Sequence, residues 1–185
     1  MKKLLLTLGL ALFLLPLALF LLPLACAKKP KTGDNMTSSK EVVEVSDYLG
    51  YIHSADTAEG LEHKYTAGSL RALAKALNGV STKSGLSKGE LIDKLDSLMS
   101  MADSLQTDPQ SNKHPGEVRA AFLRATELME SLQGAKFPRN RDEVQAVRQA
   151  ATDISADESA LQQKPKIMAF FDKAGEALSA MVMNI

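Results

Sequence analysis

From residue 39 to the C-terminus, apolar residues recur every three or four positions, and each run is bounded by residues that begin or end helices. That spacing lines the apolar side chains along one helical stripe. A strand would need strict alternation, and no period-2 run of β-branched residues occurs. Ser38 with Glu41 forms a capping box ahead of Val42, Val45, Tyr48, Leu49 and Ile52. Asp56 with Glu59 forms a second, opening a stripe through Leu61, Tyr65, Leu70, Leu73, Leu77 and Val80 that should end in the break from Gly79 to Gly85. Ser87 with Glu90 forms a third, ahead of Leu91, Leu95, Leu98, Met99, Ala102 and Leu105, up to Asp108-Pro109. Pro115 suits a first helical position before Val118, Phe122, Ala125, Leu128, Met129 and Leu132, with Gly134 as C-terminal cap. Asn140 with Glu143 then starts Val144, Val147, Ala151 and Ile154, expected to run toward Leu161 and stop before Pro165. The last run carries Ile167, Phe170, Phe171, Ala174, Leu178 and Met181.

Each stripe is apolar on one side and charged on the other, so the helices must cover one another. Short connections favour antiparallel neighbours. The expected fold is all-α, an up-and-down bundle of four to six helices over residues 39–185. The segment 39–53 is either a separate short helix or continuous with the next, and the block from Asp56 to Leu61 decides which. Leu70-Arg71-Ala72 and Leu123-Arg124-Ala125 lie equally far before Glu90 and Glu143, a faint echo that a duplicated hairpin or chance would produce.

A single cysteine, Cys26, excludes an intramolecular disulfide and any multi-cysteine zinc site. With no Trp and few Phe or Tyr, packing falls to Leu, Ala, Met and Val. The 22 basic residues balance the 22 acidic ones; without Lys2 and Lys3 of the leader, 20 face 22, a net charge of −2. Such a chain has no basic field to hold nucleic acid.

The first 25 residues have a charged start, Lys2-Lys3, an apolar stretch from Leu4 to Leu24, and a small residue, Ala25, before Cys26. This is the layout of a secretory signal peptide. The junction Leu22-Pro23-Leu24-Ala25-Cys26 resembles the bacterial lipoprotein signal, matching it at Ala25 and Cys26 and departing from it at Pro23 and Leu24. The resemblance covers about the first 27 residues. It implies that the Cys26 thiol takes a diacylglyceryl group and, after cleavage, becomes an acylated first residue carrying palmitate-type chains. Because Ala27 rather than Asp follows the cysteine, it also implies passage to the outer membrane in a two-membrane bacterium, facing the periplasm or the surface. Leu10 to Pro16 is repeated without change as Leu17 to Pro23, which lengthens the apolar stretch to the roughly 20 residues that can span a bilayer. An uncleaved membrane helix therefore stays open as an alternative. So does ordinary cleavage after Ala27, since Ala25-Cys26-Ala27 has the small-x-small form. Residues 26–38, with Lys28-Lys29-Pro30-Lys31, have no apolar period and read as a lipidated cysteine and flexible tether.

Behind the tether, ligand-type residues cluster only at His53, Asp56, Glu59, Glu62 and His63. On one continuous helix Asp56, Glu59 and His63 would share a face, and with His53 they are the nearest approach to a divalent-metal site. Asp56 and Glu59 already have a capping role, however, so no metal is expected. Covalent haem attachment would need Cys-x-x-Cys-His, which is absent, and no His follows His114; no cofactor is expected. Met99, Met101, Met129, Met168, Met181 and Met183 read as core filling, with an adaptable binding groove as the other reading. Phe170 and Phe171 cannot both point straight inward, so they form a buried pair flanking the stripe or leave one ring exposed to a partner. Lys136 to Arg141 is a short basic loop, either a solvated turn or a contact for anionic headgroups or cell-wall polymer. No Gly-x-Ser-x-Gly, His-Glu-x-x-His or Gly-rich phosphate loop occurs. The expected function is a lipid-anchored, non-enzymatic module that binds an envelope or extracellular macromolecule. The alternative is a periplasmic metal- or cofactor-binding bundle.

Overall fold

A computed structural model describes residues 42–54, 61–86, 89–107 and 114–185, with the backbone alone for 61–63. They form six α-helices: α1 (Val43–Ser54), α2 (Leu61–Lys83), α3 (Glu90–Thr107), α4 (His114–Lys136), α5 (Arg141–Thr152) and α6 (Lys164–Val182), with a 3-10 turn at Pro138–Asn140. Each helix packs against the next in an up-and-down order, and α6 returns to α1 and α2, closing the bundle. Sequence-expected apolar positions such as Val45, Leu73, Leu98, Val118, Val147 and Leu178 are all buried. The Ser38–Glu41 and Asp56–Glu59 pairs, Ser87 and Asp108-Pro109 lie outside the described residues.

The first two helices are separate and antiparallel. Tyr51 lies over Gly68 and Val42 over Gly79, so advancing along α1 means retreating along α2. Glycine permits this close seat, because a Cβ at Gly68 would collide with Tyr51 Oη. The obstacle is the far end of a side chain that is itself partly exposed. Gly68→Ala is therefore expected to let the ring swing outward and to leave stability unchanged or raised by up to about 1 kcal/mol, the helix-propensity gain of alanine. Urea unfolding followed by circular dichroism checks this.

Several helix ends differ from expectation for identifiable reasons. The α2 helix runs through Gly79 and stops at Lys83, where Gly85 adopts φ +74° and Leu86 N–H reaches back 2.9 Å to Ser81 O. That is a Schellman-type closure, with glycine accepting the left-handed position. Gly134, by contrast, is no cap. The α4 helix continues to Lys136, Phe137 N–H bonds Gln133 O at 2.9 Å, and the buried Phe137 ring anchors the turn.

At Asn140 no side-chain cap forms. The Asn140 side chain is buried instead, and its Oδ1 accepts from Asn184 Nδ2 at 3.3 Å. The α5 helix ends at Thr152 rather than running on toward Leu161. The buried Gln163 supplies an alternative to helical pairing: its Oε1 accepts from Ser155 N–H at 2.8 Å, and its Nε2 donates to Ser155 O at 3.0 Å and Glu158 O at 2.8 Å. A side chain that satisfies three backbone groups stabilises a compact turn. Pro165 stands in the first turn of α6, as a residue without an N–H can.

The faint echo is not kept in packing. Leu70 is buried and Leu123 half-exposed, while Arg71 pairs across to Asp103 of α3 and Arg124 pairs with Glu127 of its own helix.

Candidate functional site

The core is organised by aromatics although the composition is poor in them. Phe122 of α4 stacks on Phe170 of α6 with ring centroids 4.2 Å apart and planes 4° from parallel, and meets Phe171 edge-on at 5.2 Å. Tyr65 of α2 meets Phe171 at 5.8 Å and 89°. Both Phe170 and Phe171 are fully buried. Neighbouring positions manage this because α6 is covered on more than one side, by α1, α2 and α5. From α1, the Tyr48 hydroxyl donates to Phe171 O at 2.7 Å inside the core. Burial, reinforced by the nearby Tyr65 and Asp172, pushes the Tyr48 hydroxyl well above the ordinary tyrosine range.

Against this interior, α1 and α6 leave an open groove of about 630 Å³ between them. The close approach requires Gly175: a Cβ there would lie 2.7 Å from Leu49 Cδ2, inside van der Waals contact. Leu49, Ile52 and Met168 line the groove with apolar surface, and His53, Asp172, Glu176 and Ser179 contribute polar groups. His53 Nε2 sits 3.8 Å from Asp172 Oδ1, with the two side chains 67% and 53% exposed. An ion pair so exposed contributes about 0–1 kcal/mol. Glu176 is bridged by Lys173 at 2.7 Å. Ser179 Oγ donates to Gly175 O at 2.8 Å, which leaves the hydroxyl oxygen free to accept. The volume falls within the range of ligand pockets. The groove combines apolar walls with two carboxylates one helical turn apart.

A smaller groove of about 230 Å³ lies where Leu86, Leu91, Leu132 and Ala135 meet. Lys94 closes its edge, bonding Glu90 at 2.6 Å and holding that carboxyl below its usual range. Across other helix pairs, Arg71 ties α2 to α3 through Asp103 at 2.6 Å and Gln106 at 2.7 Å, and Arg148 forks onto both Glu130 oxygens to tie α5 to α4. These clamps hold the bundle and border neither groove.

Of the residues singled out from the sequence, Cys26, Asp56 and Glu59 lie outside the described residues. His53 occupies the last turn of α1 and His63 the first turn of α2, and because the two helices are separate and antiparallel they do not offer the one continuous face that a metal cluster would have used. Among the described residues, no group of three His, Cys, Asp or Glu side chains is placed to hold a metal ion. The partner that His53 finds is Asp172. Nothing in the sequence singled out Asp172 or Glu176, which follow the buried Phe171 as ordinary carboxylates of the last helix. Among the methionines, Met129 and Met181 are core, Met168 lines the groove, and Met183 is 72% exposed. No helix among the described residues is long and apolar enough to cross a membrane. The fold and groove thus define the class, an all-α up-and-down bundle with a lateral cleft. Comparison with known families, with characterised proteins and with solved structures finds no match.

Proposed function

We propose that this chain is exported, acylated at Cys26, and acts at the membrane as a non-enzymatic binding module whose ligand surface is the α1–α6 groove. The observation that carries this reading is a division of labour along the chain. An apolar leader ends in a lone thiol, a lysine-bearing tether follows, and a compact unit begins at Ser38. A thiol at that junction is what the lipoprotein resemblance requires, and acyl chains anchor firmly because each buried CH₂ contributes about 0.8 kcal/mol. The groove suits an apolar segment flanked by a cation on an envelope or extracellular macromolecule, since its walls are aliphatic and its polar rim is acidic.

The test is mass spectrometry of the protein extracted from membranes of a two-membrane bacterial host, with palmitate labelling. Loss of about 25 residues and incorporation of label are expected for wild type, whereas Cys26→Ser should be unlabelled and released from the membrane fraction. An unprocessed, unlabelled wild-type chain would refute the anchor.

A further inference from the structure

The α1–α6 groove is walled by helices, and that decides what kind of chain can lie in it. Along α6 from Met168 to Ser179, helical pairing already engages the backbone N–H and C=O groups, so an extended segment would find no main-chain partners on that wall. A helix needs none, because it satisfies its own backbone and docks through side chains alone. On α6 the lining residues Met168, Asp172, Gly175 and Ser179 recur once per turn, a rise that a second helix matches.

The charged groups lining the groove are His53, Asp172 and Glu176. Lys173 bonds both Glu176 oxygens, at 3.0 and 2.7 Å, and takes up that charge. His53 is the only charged side chain among the described residues that bridges to Asp172, and at 3.8 Å it stands beyond hydrogen-bond reach. With the imidazole neutral, two carboxylates face one ammonium, an excess of one negative charge. That excess sits at Asp172, one helical turn from Met168 and across from Ile52, so aliphatic and anionic surfaces adjoin.

We infer that the partner of this groove is an amphipathic helix of another protein, which lays aliphatic side chains three or four positions apart against Leu49, Ile52 and Met168 and places a Lys or Arg, one turn further on, at the Asp172 carboxylate. The inference rests on the reading of the groove as the ligand surface. A long cationic side chain suits the junction because its stem is aliphatic and its head charged. Asp172 rather than Glu176 is the seat, since a cation at Glu176 would have to displace Lys173 from two hydrogen bonds. At Asp172 it displaces only an exposed imidazole, a contact of little worth.

The experiment presents immobilised, detergent-solubilised full-length protein with a phage library of helix-forming peptides of about five turns, one face randomised without charge bias. Enriched peptides are synthesised and titrated by fluorescence anisotropy. The expected result is enrichment of aliphatic residues three or four apart with a Lys or Arg one turn beyond, in peptides that are helical when bound. Asp172→Asn should weaken them by about tenfold or more, the loss for a hydrogen bond to a charged group. Glu176→Gln should weaken them by less than about threefold. Asp142→Asn, at a carboxylate of α5 that does not line the groove, should change nothing. Ser179→Trp, which fills the groove from a partly exposed position, should abolish binding while its circular dichroism matches wild type; Met168→Trp serves the same end if that match fails. Aliphatic peptides stopped by the tryptophan but indifferent to Asp172→Asn overturn the cation seat and leave the groove reading standing. Peptides that bind in extended form overturn the helix and likewise leave the groove. Peptides indifferent to both changes, or no enrichment at all, overturn the groove as the ligand surface and this inference with it. The Cys26 anchor stands or falls by its own labelling test.

Discussion

Phe122→Ala is expected to destabilise the bundle by about 3–5 kcal/mol, the range for removing a fully buried large aromatic side chain. Phe122 is completely buried, and its ring supports both Phe170 and Phe171. Truncation leaves a cavity among α2, α4 and α6, and aromatic pairing beyond simple burial is lost with it. In a chain of this size each 1 kcal/mol shifts the melting temperature by about 2–4 °C, so a fall of about 6–20 °C is expected. Differential scanning calorimetry measures it. A change below about 1 kcal/mol would mean that the three rings do not share one core.

The second large effect belongs to Tyr48, the residue that latches α1 onto the interior. Tyr48→Ala should also lose about 3–5 kcal/mol, since a fully buried ring is removed. Tyr48→Phe separates the hydroxyl from the ring: it deletes only the bond to Phe171 O and should cost about 0.5–1.5 kcal/mol. That carbonyl retains the Gly175 N–H that helical pairing supplies, so the acceptor is not orphaned. The two variants also differ in alkaline behaviour. Burial holds the hydroxyl above its ordinary range in the folded chain, so its contribution is fully present below the unfolded tyrosine value near 10. It is lost as pH rises above that value, because the unfolded chain ionises while the folded chain does not. Wild type should therefore become less stable between pH 9 and about 11, and Tyr48→Phe should show a shallower decline. Some slope should remain, because burial raises Tyr65 as well. Denaturant unfolding at a series of pH values resolves the difference, and parallel curves would remove Tyr48 from the account.

These effects show why some parts of the molecule were legible early and others were not. The stripe Leu91, Leu95, Leu98 and Leu105 is a local signal, because residues three and four apart share a helix face whatever surrounds them. Helix ends were less legible: Gly134 and Asn140 carry capping chemistry in their side chains, yet packing of Phe137 and the bond to Asn184 redirected both. Gln163 is the clearest omission. A glutamine in a polar stretch gives no hint that it is buried and holds the turn from Ser155 to Glu158. The groove was half visible. His53 stood out as a possible ligand, whereas nothing marked Asp172 or Glu176 until α1 was laid beside α6.

The amino-acid order alone determined the all-α class, the approximate positions of six amphipathic helices and the lone thiol that follows an apolar N-terminal stretch. Each of these depends on neighbours within a few positions. Only the tertiary structure decided that Tyr48 meets Phe171 across 123 residues, that Gly175 admits Leu49, and that Asp172 stands beside His53. Helical periodicity says which face a residue occupies; which other face lies opposite is settled by how all six stripes cover one another at once.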